Sequence, residues 1–358
     1  MVFSKYNLDE FQGGPSGFIR QNILDKKIEG LITLQTLQQN YKPDFFKKVR
    51  KKLSQVFNEE EKNSWLVNFT GSAGKIYQYY NCAKFDYIYF HDIFSLYGCL
   101  NYIPKTQKII LQSHAPELVS EEFKNLDSGE DSINKIKEIE LVTFKKADHL
   151  IFPNPDSSLI YKSLICKSSK INYILSSSQS INNAFTIPLD KDSVNLLFVG
   201  RRNHIKGFDV LIKTFEKTRV HRQNINLFLA GEGEEKNQQG VISLGKVNPA
   251  NWIASVDFVI NTNENSYFDL SVMEVLSVGT PIILTLTGGH TFFKDKSSGI
   301  LTLDTLDFNS LYILLLNIQK PTLADKAEMV WANQDLYKKY FTIELYKQRM
   351  EKFIAELV

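Results

Sequence analysis

Cysteine is scarce in this chain of 358 residues, and long apolar runs are missing altogether. The three cysteines, Cys82, Cys99 and Cys166, are scattered, odd in number and without metal-ligand or redox spacing. That excludes a disulfide framework, a cysteine zinc site and a thiol–disulfide motif, and leaves small buried hydrophobes in a reducing compartment. No apolar run approaches the ~20 residues of a membrane-crossing helix. The opening, Met1–Val2–Phe3–Ser4–Lys5–Tyr6, lacks the basic-then-apolar order of a signal peptide, so a cytoplasmic protein is expected. One-signed charge is also missing. Lysine and arginine number 42 against 40 acidic residues, a net +2, and no global field points to nucleic acid. With 43% hydrophobic and 23% charged residues, the composition is that of a soluble globular protein long enough for two domains.

Short apolar runs alternate with longer helix-like stretches. Candidate strands cover 2–5, 31–34, 87–90, 109–112, 150–152 and 171–175 in the first half. In the second half they cover 194–199, 225–230, 258–261 and 282–286. Runs of this length, apolar on both faces, fit parallel strands covered by helices. The alternation predicts two doubly wound α/β domains, whose ligands bind beyond the carboxyl ends of the strands. Polar, turn-forming residues over 176–193 place a boundary there, giving domains of 1–185 and 186–335. Residues 336–358 carry Phe341, Leu345, Tyr346, Met350, Phe353, Ile354 and Leu357 at helical spacing and predict a terminal helix.

The densest chemistry lies in 194–289. The apolar run Val194 to Val199 ends at Gly200, followed by Arg201, Arg202, Lys206 and Gly207. A strand running into a cationic loop and a helix suits a diphosphate. Backbone N–H groups at the helix start carry positive potential, Arg adds a planar fork and Lys a point charge. Further on, Glu274 sits in the helix-like run Leu270–Ser271–Val272–Met273–Glu274, before Gly279, Pro281, another apolar run, and Gly288–Gly289. Ala230–Gly231–Glu232–Gly233 lacks the third glycine of a dinucleotide fingerprint and carries repelling glutamates, so a nicotinamide site is rejected.

In order and spacing, Phe198–Val199–Gly200–Arg201, Lys206–Gly207, Glu274, Gly279, Pro281, Gly288 and Gly289 resemble the C-terminal half of retaining glycosyltransferase family 4. That family has the GT-B fold, two Rossmann-like domains facing across a cleft, and weaker matches extend over almost the whole chain. The resemblance implies transfer of a sugar, with retention, from a nucleotide-diphosphate sugar to a glycan, glycolipid or glycoprotein acceptor. A UDP-sugar is favoured, and the setting it implies is bacterial polysaccharide or glycoconjugate synthesis. It implies that Arg201 and Lys206 neutralise the leaving diphosphate, that Glu274 takes the ribose hydroxyls, and that the backbone near Val247 meets the base. The Leu270 and Ser271 N–H groups, near a helix start, would receive the diphosphate. One departure stands out. Members carry a second glutamate eight positions before the first-named one, and this chain has Ser266 there, with Glu264 and Asp269 nearby. A serine can hydrogen-bond a sugar hydroxyl but brings no negative charge.

In the first half, Gly13–Gly14–Pro15 matches the family's glycine loop, which reaches toward the donor diphosphate (Gly14) and the acceptor (Gly13). His114 matches the histidine that helps position the donor sugar and is the catalytic candidate. His91 and Glu117 are acceptor candidates. The terminal helix is expected to return to the first domain. Residues 43–57 place Phe45, Phe46, Val49, Leu53, Val56 and Phe57 on one helical face and five basic residues on the other. This is either a docked surface helix or a contact with an anionic membrane suited to a lipid-linked acceptor. Asp190–Lys191–Asp192 lies in a polar linker and is read as solvated, so no metal is expected. The rival reading is a catalytically silent GT-B protein that binds nucleotide or glycan and supports a partner enzyme. A hydrolase is disfavoured for want of a paired-acid or serine-elbow motif.

Overall fold

The computed structural model describes residues 1–4, 14–24, 26–39, 65–125, 129–182, 184–236 and 238–357. The chain forms two compact units. One comprises Met1–Phe152, Tyr161–Ile174 and Lys347–Val358. The other comprises Pro153–Ile160 and Leu175–Tyr346.

The first unit holds a five-stranded sheet in the order β1 (Val2–Phe3), β2 (Tyr87–Phe90), β3 (Lys108–Leu111), β4 (His149–Phe152) and β5 (Lys170–Tyr173). Every neighbouring pair is parallel. Parallel neighbours need a crossover, and helices Trp65–Tyr79, Ile93–Cys99 and Glu130–Lys146 lie in these connections. Ile88, Phe90, Leu150, Ile151 and Phe152 are all buried, as strands covered on both faces must be. The chain's last residues close this unit. Tyr87 Oη donates to the Leu357 carbonyl at 2.6 Å, Glu29 N–H donates to Glu351 at 3.0 Å, and Phe353 meets His149 edge to face.

The second unit holds six parallel strands. In chain order they are β6 (Val194–Val199), β7 (Ile225–Ala230), β8 (Val241–Gly245), β9 (Phe258–Asn261), β10 (Ile282–Thr285) and β11 (Ile300–Leu303). They lie in the order β11-β10-β9-β6-β7-β8. Val194, Leu196, Phe198, Leu227, Leu229, Phe258, Ile260 and Ile283 pack with Phe208, Leu211 and Phe215 of the helix Phe208–His221 to form its core. From β6 the chain moves one way through β7 and β8, then returns to β9 beside β6 and moves the other way. The loops after β6 and β9 therefore diverge, which opens a crevice at their carboxyl ends.

Three details differ from expectation. Segment 31–34 contributes only one parallel bridge, Thr33 to Val2. β8 and β11 were not foreseen, and both are edge strands. The terminal helix is two helices, Leu323–Tyr340 and Ile343–Ala355. The first ends at Phe341, whose backbone leaves the helix because its fully buried ring is anchored among Phe268, Phe292 and Phe293.

Candidate functional site

The loop after β6 is held in place by glycines and by its own side chains. Gly200, at φ 149°, accepts a backbone conformation that other residues avoid. Asn203 caps the short turn His204–Lys206, its side chain accepting from Lys206 N–H at 3.2 Å. Arg202 turns back into the fold and donates to the carbonyls of Glu234 at 2.5 Å and Leu229 at 3.3 Å. Arg201 is exposed and makes no side-chain hydrogen bond or ion pair among the described residues.

This loop is stitched to the loop after β9. Thr262 Oγ1 donates to the Lys206 carbonyl at 3.0 Å, and Glu264 N–H donates to the Ile205 carbonyl at 2.9 Å. His204 Nε2 lies 3.0 Å from Glu264 Oε2. Across the same gap Lys206 Nζ sits 2.5 Å from Asp269 Oδ2. Asp269 precedes the helix Leu270–Val278, but its carboxylate is engaged elsewhere and does not cap it. Asn263 donates to it at 2.8 Å, Asn261 at 3.4 Å and Ser266 Oγ at 3.4 Å. Burial alone would raise its pKa. The Lys206 ammonium, His290 and the amide of Asn263 outweigh that and hold the carboxyl well below the usual range. His290 Nε2 accepts from the Asp269 N–H at 3.3 Å, and burial pushes its own pKa down to about 4.

The carboxyl ends of β6 and β9 thus carry Arg201, Lys206, Leu270, Ser271 and the half-buried Glu274. Ser266 is fully buried; its carbonyl accepts from Gly289 N–H at 3.0 Å and its hydroxyl meets Asp269. Val247 follows β8 and is 39% exposed. Gly231 is accounted for by packing, since a Cβ there would strike the Gly200 carbonyl.

In the first unit, His91 and His114 follow β2 and β3 and form a stacked pair, with His91 Nδ1 2.9 Å from His114 Nε2. Phe18 packs on both rings. His91 is 1% exposed, and its Nε2 has no hydrogen-bond partner among the described residues. A bare buried lone pair is cheaper than an unpaired buried N–H. We therefore assign the shared proton to His91 Nδ1, which leaves His114 protonated at Nδ1. Burial, and for His91 also the neighbouring His114, keeps both neutral, with His114 lowered to about 3. Gly14, at φ 64°, opens the helix Gly14–Asn22. Glu117 accepts from Asn125 at 3.3 Å.

Gly13 and residues 43–57 lie outside the described residues. Asp190 accepts from Asp192 N–H at 2.9 Å and from Ser193 Oγ at 2.6 Å, closing its own turn. In the sequence Asp269 stands only as an acid near Ser266, with no sign of its pairing with Lys206. Its one local signal is its place directly before a helix start.

Residues 193–317 match the family model described as glycosyl transferases group 1. An uncharacterized glycosyltransferase of Methanocaldococcus jannaschii is 28% identical over 167 residues, 42% of each chain. D-inositol 3-phosphate glycosyltransferase of Pseudarthrobacter chlorophenolicus is 28% identical over 119 residues, 28% of each chain. The matched stretches thus span less than half the length of these relatives. Among solved structures, sucrose-phosphate synthase from Thermosynechococcus elongatus superposes with a TM-score of 0.65 at 17% identity, covering 84% of this chain and 80% of that one. Anabaena HepE in complex with UDP-glucose gives 0.63 at 15% identity, covering 79% and 82%. The two parallel sheets are those of the GT-B fold, and residues 193–317 are similar to the glycosyl transferases of group 1.

Proposed function

We propose that the protein transfers a sugar, with retention, from a nucleotide-diphosphate sugar, a UDP-sugar being favoured, to a glycan, glycolipid or glycoprotein acceptor. The carrying observation is that Arg201, Lys206 and the start of the helix Leu270–Val278 gather at the carboxyl ends of β6 and β9. Departure of the diphosphate builds charge on its oxygens. Two cations and a helix N-terminus stabilise that charge where it develops. Glu274 takes the ribose hydroxyls, and the backbone near Val247 faces the base. His114 helps position the donor sugar; His91, Glu117 and the Gly13–Gly14 loop serve the acceptor and diphosphate. HepE complexes with UDP and with UDP-glucose support the choice of donor class. No metal enters this reading, because the cations supply the charge a metal would bring.

The 1–185 and 186–335 segments are proposed as acceptor and donor domains, with the terminal helix returning to the first. The setting is proposed to be bacterial polysaccharide or glycoconjugate synthesis at the inner membrane face. No helix among the described residues is long and apolar enough to cross a membrane. Surface attachment would fall to residues 43–57 and is checked by salt-sensitive sedimentation with anionic vesicles.

Incubation with a panel of nucleotide sugars should release nucleoside diphosphate slowly from one of them, and faster with the matching acceptor. NMR of the product should give the donor's anomeric configuration. A second reading, binding without turnover, is favoured by Ser266 and by the engagement of Lys206 with Asp269. Tight nucleotide binding with no turnover across acceptors would select it.

A further inference from the structure

The cation at the centre of the candidate site already has an anion. Lys206 Nζ is 2.5 Å from Asp269 Oδ2, with side chains only 24% and 16% exposed. Asn263, Asn261 and Ser266 hold that carboxylate from other directions, so it is fixed and not a wandering surface group. It stands at the first residue before the helix Leu270–Val278, the end whose positive potential suits a phosphate. A diphosphate reaching Lys206 and that helix end therefore meets a fixed like charge. Lys206 must then divide its three donors between two anions.

We propose that Asp269 is an affinity-setting residue of the diphosphate site, competing with the ligand for Lys206 and weakening the hold on nucleoside diphosphate. The inference rests on the functional reading above for the identity of the ligand. Arg201 is then the cation that captures the incoming diphosphate, because it alone of the two has no anion beside it among the described residues. Lys206 is shared between Asp269 and the phosphate. Weak retention favours release of the spent nucleotide, a step that often limits turnover.

Asp269→Asn removes the charge and keeps an oxygen for the Asn263 amide. Asp269→Ser is a second variant, since serine is well tolerated before a helix. Calorimetric titration of the full chain with UDP and with inorganic pyrophosphate reads both. UDP should bind either variant roughly tenfold or more tightly than the parent, as removal of a like charge a few ångströms away predicts. Pyrophosphate should follow. In a Lys206→Gln background the gain should shrink, because the contested cation is gone. Unchanged or weaker UDP binding by the folded variants overturns the proposal while leaving the nucleotide reading intact. Absence of UDP and pyrophosphate binding in parent and variants alike overturns both.

Discussion

Arg201 and Lys206 carry the same charge on one loop, yet their surroundings make them different residues to lose. Arg201→Ala removes an exposed side chain that has no partner among the described residues, so stability should stay within about 0.5 kcal/mol. kcat/KM for nucleotide-sugar turnover should fall on the order of 10²-fold, as for loss of one charge-stabilising donor. Lys206→Ala should lower turnover similarly and also cost about 2 kcal/mol. Asp269 would be left ionised without its counter-charge, though still bonded by Asn263. Urea unfolding beside kinetics separates the two, and equal stabilities would mean the ion pair does not form in solution. The buried histidines act on pH dependence. Burial lowers His91 well below its usual value, His114 to about 3 and His290 to about 4. Below about pH 6.5 the unfolded chain binds protons that the folded chain refuses, so stability falls as pH falls toward those folded values. Each contributes up to about 1.4 kcal/mol per pH unit. Asp269 works in a lower window: its folded value is depressed, so its contribution persists down through the ordinary carboxylate range and is lost only below it. Urea midpoints should therefore drop between pH 7 and pH 5, and a flat profile would place these imidazoles in water.

At the scale of elements, the loops after β6 and β9 depend on Gly207. It sits at φ 61° between the turn His204–Lys206 and the helix Phe208–His221, and a Cβ there would overlap the Thr262 carbonyl. Gly207→Ala should force the loops after β6 and β9 apart and lower stability by about 2 kcal/mol or more. Activity should fall further than stability, since Lys206 and Asp269 lie on opposite sides of that contact. Thermal unfolding and turnover measured together check it, and a fully active alanine variant would show the stitching to be dispensable. In the second unit the buried strands are the legible ones. β6, β7, β9 and β10 read as apolar runs because both faces are covered. β8 escaped because an edge strand with polar Ser243 and exposed Ile242 has no such run. The Lys206–Asp269 pair joins residues far apart in sequence, and no local pattern announces which cation will meet which acid.

For the whole molecule, the decisive property is strand order, which alternation alone does not determine. Alternating runs predict a parallel sheet; pairing predicts where its ligand goes. Because β6 lies between β7 and β9, the crevice opens after β6 and β9, where the cationic loop and the helix start meet. That placement makes the functional reading directional. The amino ends of the same strands carry a different chemistry. There Asp257 accepts from Asn195 N–H at 2.9 Å and lies 3.5 Å from Lys320, so its charge is already satisfied by the fold. Hydrogen exchange on the intact chain tests the direction. Saturating UDP should slow exchange over 200–207 and 262–271, at the carboxyl ends, and leave 190–195 and 255–258, at the amino ends, unchanged. Protection centred on the amino ends would place the nucleotide on the wrong side of the sheet, and neither cation could then meet a leaving phosphate.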